Sequence, residues 1–90
     1  MQITHVAIRS KNITYSLPAP NRHHHVLEMM HNMGVLDDEA HETMEQGFLA
    51  EENVFVSRRA ALVLATLSDQ MKPRLPGQYN GDELFSEDLW

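Results

Sequence analysis

Ninety residues, 42% of them hydrophobic and 22% charged, make one small globular domain and not a disordered chain. The absence of cysteine excludes disulfide scaffolds, Cys-based zinc fingers, iron–sulfur clusters and thiol catalysis. Seven Lys plus Arg against thirteen Asp plus Glu leave a net charge of −6, a poor balance for wrapping polymeric DNA or RNA, where affinity comes from counterion release.

Residues 2–8 are apolar in both alternating sets, which predicts a strand covered on both faces. Ser10-Lys11-Asn12 predicts a turn, and residues 13–17 return with β-branched and aromatic side chains to complete a hairpin. Pro18-Ala19-Pro20 stops the sheet, and Asn21 is placed to cap a helix. Val26, Leu27, Met30 and Met33 then recur at helical spacing up to the terminator Gly34. The acidic stretch 37–45 carries little apolar pattern and is open between a solvated helical turn and a loop. Residues 46–49 and 54–56 flank Ala50-Glu51-Glu52-Asn53 as a second hairpin.

Ser57 caps a second helix, where Ala60-Ala61-Leu62-Val63-Leu64-Ala65 is apolar nearly all round and calls for cover on more than one side. The hairpins supply one cover and a partner subunit the other; a chain this short, burying only about 60% of its unfolded surface, gains from such a partner. A homodimer or higher homo-oligomer is therefore expected. Pro73 and Pro76-Gly77 mark an irregular crossing before a tail, residues 82–90, whose Phe85 and Trp90 close the core while its acids stay wet. The order is ββαββα with a docked tail, a single α+β domain over residues 1–90. No apolar run approaches the roughly 20 residues of a membrane span, and the start lacks the basic-then-apolar order of a signal peptide.

Arg22-His23-His24-His25 opens the first helix, where free N–H groups and the dipole attract anions, and where Arg and imidazole donors suit phosphate. The plain alternative is a set of cations that oppose the dipole and point into water. His23, three and four residues before Val26 and Leu27, is expected to face the core. His24, Glu28 and His31 share a helical strip, but nothing there has the His-Glu-x-x-His spacing and no metal is assigned. At the second helix Ser57 and Arg58 again put donors at an N-terminus. Phe48 offers a ring for a base beside Gly47, which lets a ligand or another backbone come close. The plain alternative makes Phe48 and Phe55 core residues.

No Gly-x-Ser-x-Gly elbow, Gly-rich phosphate loop with a Lys, or carboxylate pair set in an apolar run is present. Binding is expected in place of catalysis, with no cofactor. The candidate ligand residues are Arg22, His23, His24, Phe48, Ser57 and Arg58.

Several segments together carry a resemblance. They are Arg22-His23-His24 after an N-terminal hairpin, Glu45-Gln46-Gly47-Phe48-Leu49, and Phe55-Val56-x-Arg58 followed by Ala60-Ala61. Gln70 and the terminal Leu84-Phe85-Ser86-Glu87-Asp88-Leu89-Trp90 complete the set. The succession resembles short phage and prophage proteins over most of the chain, outside residues 35–44 and the Pro-rich crossing. In function it is similar to the Thoeris anti-defence sponges, which capture cyclic ADP-ribose signals of bacterial immune systems, some also cyclic oligonucleotides, without degrading them.

That resemblance implies an α+β protomer paired into a dimer or higher assembly in the cytoplasm of the host bacterial cell, with a small cyclic nucleotide held between protomers. It implies further that Arg22 and the adjacent His face phosphates, that Phe48 stacks on a base, and that Arg58 adds charge. The turn Glu51-Glu52-Asn53 departs from the Gly expected there. The alternative function is an acidic phage interaction protein that inhibits a host or defence protein by direct binding. Convergence of Arg22, Phe48 and Arg58 on one pocket separates the two.

Overall fold

The computed structural model describes residues 2–72 and 83–90. Its strands are β1 (Ile3–Ser10), β2 (Ile13–Pro18), β3 (Glu45–Ala50) and β4 (Val54–Ser57), and its helices α1 (His23–Asn32), α2 (Asp38–Thr43) and α3 (Arg58–Leu67). The α+β class and the ββαββα order hold, with the short α2 added ahead of β3. The sheet is antiparallel in the order β2-β1-β3-β4. Lys11 and Asn12, at φ 51° and 64°, supply the two left-handed residues that a tight hairpin turn needs.

Register sets Leu17, Val6, Phe48 and Val56 side by side across the sheet. Val26 and Met30 of α1 and Ala61 and Ala65 of α3 pack with them, and Ile3, Ile8, Leu84 and Leu89 complete one core. The opposite face carries Ala7, Gly47 and Phe55. There the expected cover on the second face of β1 is met at Ala7 by side chains of the sheet itself, whereas His5 is half-buried and Arg9 exposed. The Phe55 ring lies against Gly47, the Arg9 guanidinium sits 4.5 Å over that ring, and Glu45 holds Arg9 at 2.7 Å. Ala7 beneath this strip is fully buried.

The N-cap position of α1 is Arg22 and not Asn21. Asn21 turns its side-chain amide back to the carbonyl of Pro18 at 2.8 Å, so it serves the preceding turn. The Arg22 N–H is satisfied by His25 Nδ1 at 2.8 Å. Gly34, at φ +75°, ends the helix as its left-handed freedom suggests. The acidic stretch resolves as helix because Asp37 caps it, accepting from the Ala40 N–H at 2.8 Å, while Asp38 and Glu39 favour the positive end of the dipole. Lys11 pairs with Asp37 at 2.8 Å, and its ammonium holds that carboxyl below the usual range.

Ser57 caps α3 as expected, accepting from the Ala60 N–H at 3.1 Å. α3 buries Ala61 and Ala65, whereas Val63 and Leu67 stay 56% and 80% exposed. The second cover expected for this helix does not come from the described residues. After α3, Gln70 continues the ladder at the end of β1: its Oε1 accepts from Ile3 N–H at 2.8 Å and its Nε2 donates to Ile3 O at 3.0 Å. The Pro-rich crossing at Pro73 and Pro76-Gly77 lies outside the described residues. The tail docks, with the Trp90 indole N–H donating to Asn21 O at 2.7 Å. Leu84 and Leu89 supply its most buried apolar contacts, and Asp88, expected to stay wet, is buried with its carboxylate accepting from Phe85 N–H at 3.0 Å.

Candidate functional site

Gly47 pairs with Ser57, the last residue of β4 before α3, and its carbonyl oxygen faces the first turn of α1. His23 takes it, with Nε2 2.7 Å from Gly47 O, so the proton sits on Nε2. The imidazole is 7% exposed and stands edge-on to Phe48, ring centroids 5.0 Å apart. Arg58 arrives from α3, its Nη2 donating to Gln46 Oε1 at 2.6 Å and its guanidinium lying 4.4 Å over the ring of Phe85 in the tail. Arg22 arrives from α1 with Nη1 3.7 Å from Glu87 Oε1. Glu87 is close enough to act electrostatically on Arg58 and His23 as well.

Arg22, His23 and Arg58 are therefore brought together, and neither arginine simply points into water. Burial lowers the Arg58 pKa, with Glu83 and Glu87 acting against it, yet a guanidinium stays charged at any ordinary pH. Phe48 is the clearest correction. It is fully buried between Val6 and Val56, so its ring is part of the core and offers no face to a base. The ring that does border Arg58 is Phe85, half-buried and contributed by the tail. Ser57 spends its hydroxyl on the cap of α3. His24 is exposed, its ring 4.0 Å from that of His25, on the solvent side of α1.

Gln46, Phe85 and Glu87 complete the cluster. The apolar positions within the acidic tail signal that it docks, but nothing local signals where. His24, Glu28 and His31 are exposed along α1, and among the described residues no three His, Asp or Glu side chains are grouped to hold a metal ion. A shallow, open hollow along α1, lined by His25, Glu28, Met29, Asn32 and Met33, includes neither arginine.

The buried imidazole gives stability a pH dependence. Burial pushes the His23 pKa down, the bond to Gly47 acts the other way, and the Arg58 charge lowers it further. The unfolded chain, with a His pKa of about 6.5, takes up a proton that the fold refuses. The contribution is complete above that value and is lost as pH falls toward the depressed folded value, at no more than about 1.4 kcal/mol per pH unit. The parent protein should melt lower at pH 5.5 than at pH 7.5, and His23→Gln should flatten that difference. Equal slopes for the two proteins would remove His23 as its source.

One antiparallel sheet, two helices that start with arginines, and a tail whose Glu87 lies beside both of them define a small α+β protein. The chain belongs to the family described as phage T4 y16D protein, which it matches over residues 2–90. The resemblance to short phage proteins holds at that level, and the finer likeness to anti-defence sponges is no part of the match. No curated protein and no solved structure matches the chain. No helix among the described residues is long and apolar enough to cross a membrane.

Proposed function

We propose that this phage protein captures a small cyclic nucleotide signal, a cyclic ADP-ribose isomer or a cyclic oligonucleotide, and holds it without cleavage. Its phosphates lie against Arg22 and Arg58, beside His23. One observation carries the reading: these guanidinium groups converge, and Arg22 Nη1 and Arg58 Nε are buried with no hydrogen-bond partner among the described residues. A buried donor left unsatisfied costs about 1–3 kcal/mol, and a phosphate oxygen relieves that cost. Capture is favoured over turnover because the Ser57 hydroxyl caps α3 by accepting from the Ala60 N–H, and no hydrogen bond joins it to His23 among the described residues. The reading includes a homo-oligomer in which the exposed Val63 and Leu67 of α3 face a second copy.

The test is to equilibrate the protein with a panel of cyclic nucleotides and cyclic ADP-ribose isomers, remove free ligand, denature, and assay what is released. Intact ligand is the expected product, from particles of at least twice the 10.3 kDa chain mass by light scattering. Arg22→Ala and Arg58→Ala should each hold ligand at least tenfold more weakly, since a charge-assisted contact is worth about 1.5–3 kcal/mol. Arg58→Ala should also melt lower, having lost Gln46 and Phe85. Altered product would make the protein an enzyme. No capture of any ligand would turn the reading to an acidic protein that inhibits by direct binding.

A further inference from the structure

We infer that Glu87 is a built-in occupant of the anion seat: its carboxylate holds the place of a phosphate beside Arg22 and Arg58 and swings out when phosphate enters. The inference rests on the seat proposed above and adds its ligand chemistry, a diphosphate, together with its regulation by a residue of the tail.

The geometry distinguishes the side chain from the backbone that carries it. The backbone is fixed, because Leu84 N–H donates to Arg58 O at 3.0 Å, Lys72 N–H to Asp88 O at 2.7 Å, and the Trp90 indole to Asn21 O at 2.7 Å. Leu84 is fully buried, and Ser86 and Asp88 nearly so. Lifting this segment would expose two leucines of the core. The Glu87 side chain, by contrast, is 57% exposed, and its carboxylate stops 3.7 Å from Arg22 Nη1, beyond hydrogen-bond reach. The carboxylate thus offsets part of the charge of the seat without satisfying its donors, since Arg22 Nη1 and Arg58 Nε have no hydrogen-bond partner among the described residues.

A diphosphate has what the carboxylate lacks: more oxygens, more charge, and the reach to bond both guanidinium groups directly. Exchanging one for the other requires only rotation of an exposed side chain. The Phe85 ring, held under the Arg58 guanidinium, then forms the wall beside which a nucleoside would lie.

The experiment titrates inorganic pyrophosphate and, in a second arm, ADP into the 90-residue parent, Glu87→Gln and the control Glu42→Gln by calorimetry. Glu87→Gln removes a like charge from the seat while keeping the shape of the side chain. It should bind pyrophosphate about tenfold more tightly than the parent. Glu42→Gln, which removes an equal charge from α2, should bind as the parent does. A stronger gain with ADP than with pyrophosphate would assign the seat to a nucleotide; equal gains would assign it to the diphosphate alone. Emission from Trp90, the chain's sole tryptophan, should stay constant throughout, because the tail remains docked.

The inference is overturned if Glu87→Gln binds no more tightly than the parent, if Glu42→Gln gains as much, or if neither protein binds pyrophosphate. A shift of Trp90 emission on binding overturns it as well, since the whole tail would then be leaving. These results are separable from failure of the signal-capture panel. A gated diphosphate seat in a protein that retains no cyclic nucleotide would leave this inference standing and remove the proposed function.

Discussion

Phe48→Ala should destabilise the protein by about 3–5 kcal/mol, the cost of deleting a large ring from a packed core. Phe48 sits fully buried at the centre of the sheet, opposite Val6 on one side and Val56 on the other, with His23 edge-on above it. Truncation leaves a cavity that the backbone of β3, paired on both flanks, cannot close. A domain of this size has a total stability of about 5–15 kcal/mol, so the variant keeps little margin. The melting temperature should fall by more than about 12 °C, given roughly 4–8 °C per kcal/mol for a chain of this length. Urea unfolding of parent and variant measures the loss directly. A loss below about 1 kcal/mol, together with abolished ligand capture, would return the ring to a ligand-contacting role.

Gly47→Ala is expected to cost at least about 2 kcal/mol, at the severe end for overpacking by a single carbon. A Cβ at this position would run into the backbone oxygen of Val56 and stand 2.7 Å from Phe55 Cζ. The ring can tilt away, but the carbonyl belongs to the partner strand and moves only with it. The double variant Gly47→Ala/Phe55→Ala separates the two obstacles. If the carbonyl dominates, removing the ring recovers little of the loss, and thermal melts of the four proteins in the cycle will show nearly additive effects. Full recovery would identify the ring as the obstacle. The sequence reading that Gly47 admits a close approach is right in kind, and what approaches is a neighbouring strand with its aromatic cover.

Much of the fold is legible in the chain because its signals are local. The turn at Lys11-Asn12, the helical spacing of Val26, Leu27, Met30 and Met33, Gly34 as terminator and Ser57 as cap all act within a few residues. The helix at residues 38–43 had its signals in view too, an Asp cap followed by acids, but its only buried residue is Ala40, so no apolar periodicity marks it. Arg22 at the cap position of α1 was obscured by Asn21, a better capping residue drawn off by the carbonyl of Pro18.

The candidate site was half legible for a related reason. Two arginines at helix starts are a sequence pattern, but their meeting depends on β1 pairing with β3 across both intervening helices. The depth of Phe48 and the landing place of Phe85 and Glu87 depend on the same long-range pairing. Periodicity carries no information about it.

The margins of the sheet have a consequence for pairing with strands of other molecules. β2 and β4 are its edges; β4 is four residues long and runs straight into α3, and β2 closes on Pro18, which has no N–H to offer an incoming strand. A strand from another molecule finds a ladder too brief on one side and cut off by proline on the other. Fibrous growth by edge-to-edge pairing is thereby discouraged at both margins. The homo-oligomer proposed above would therefore be built on side-chain surfaces such as Val63 and Leu67 and not on strand pairing.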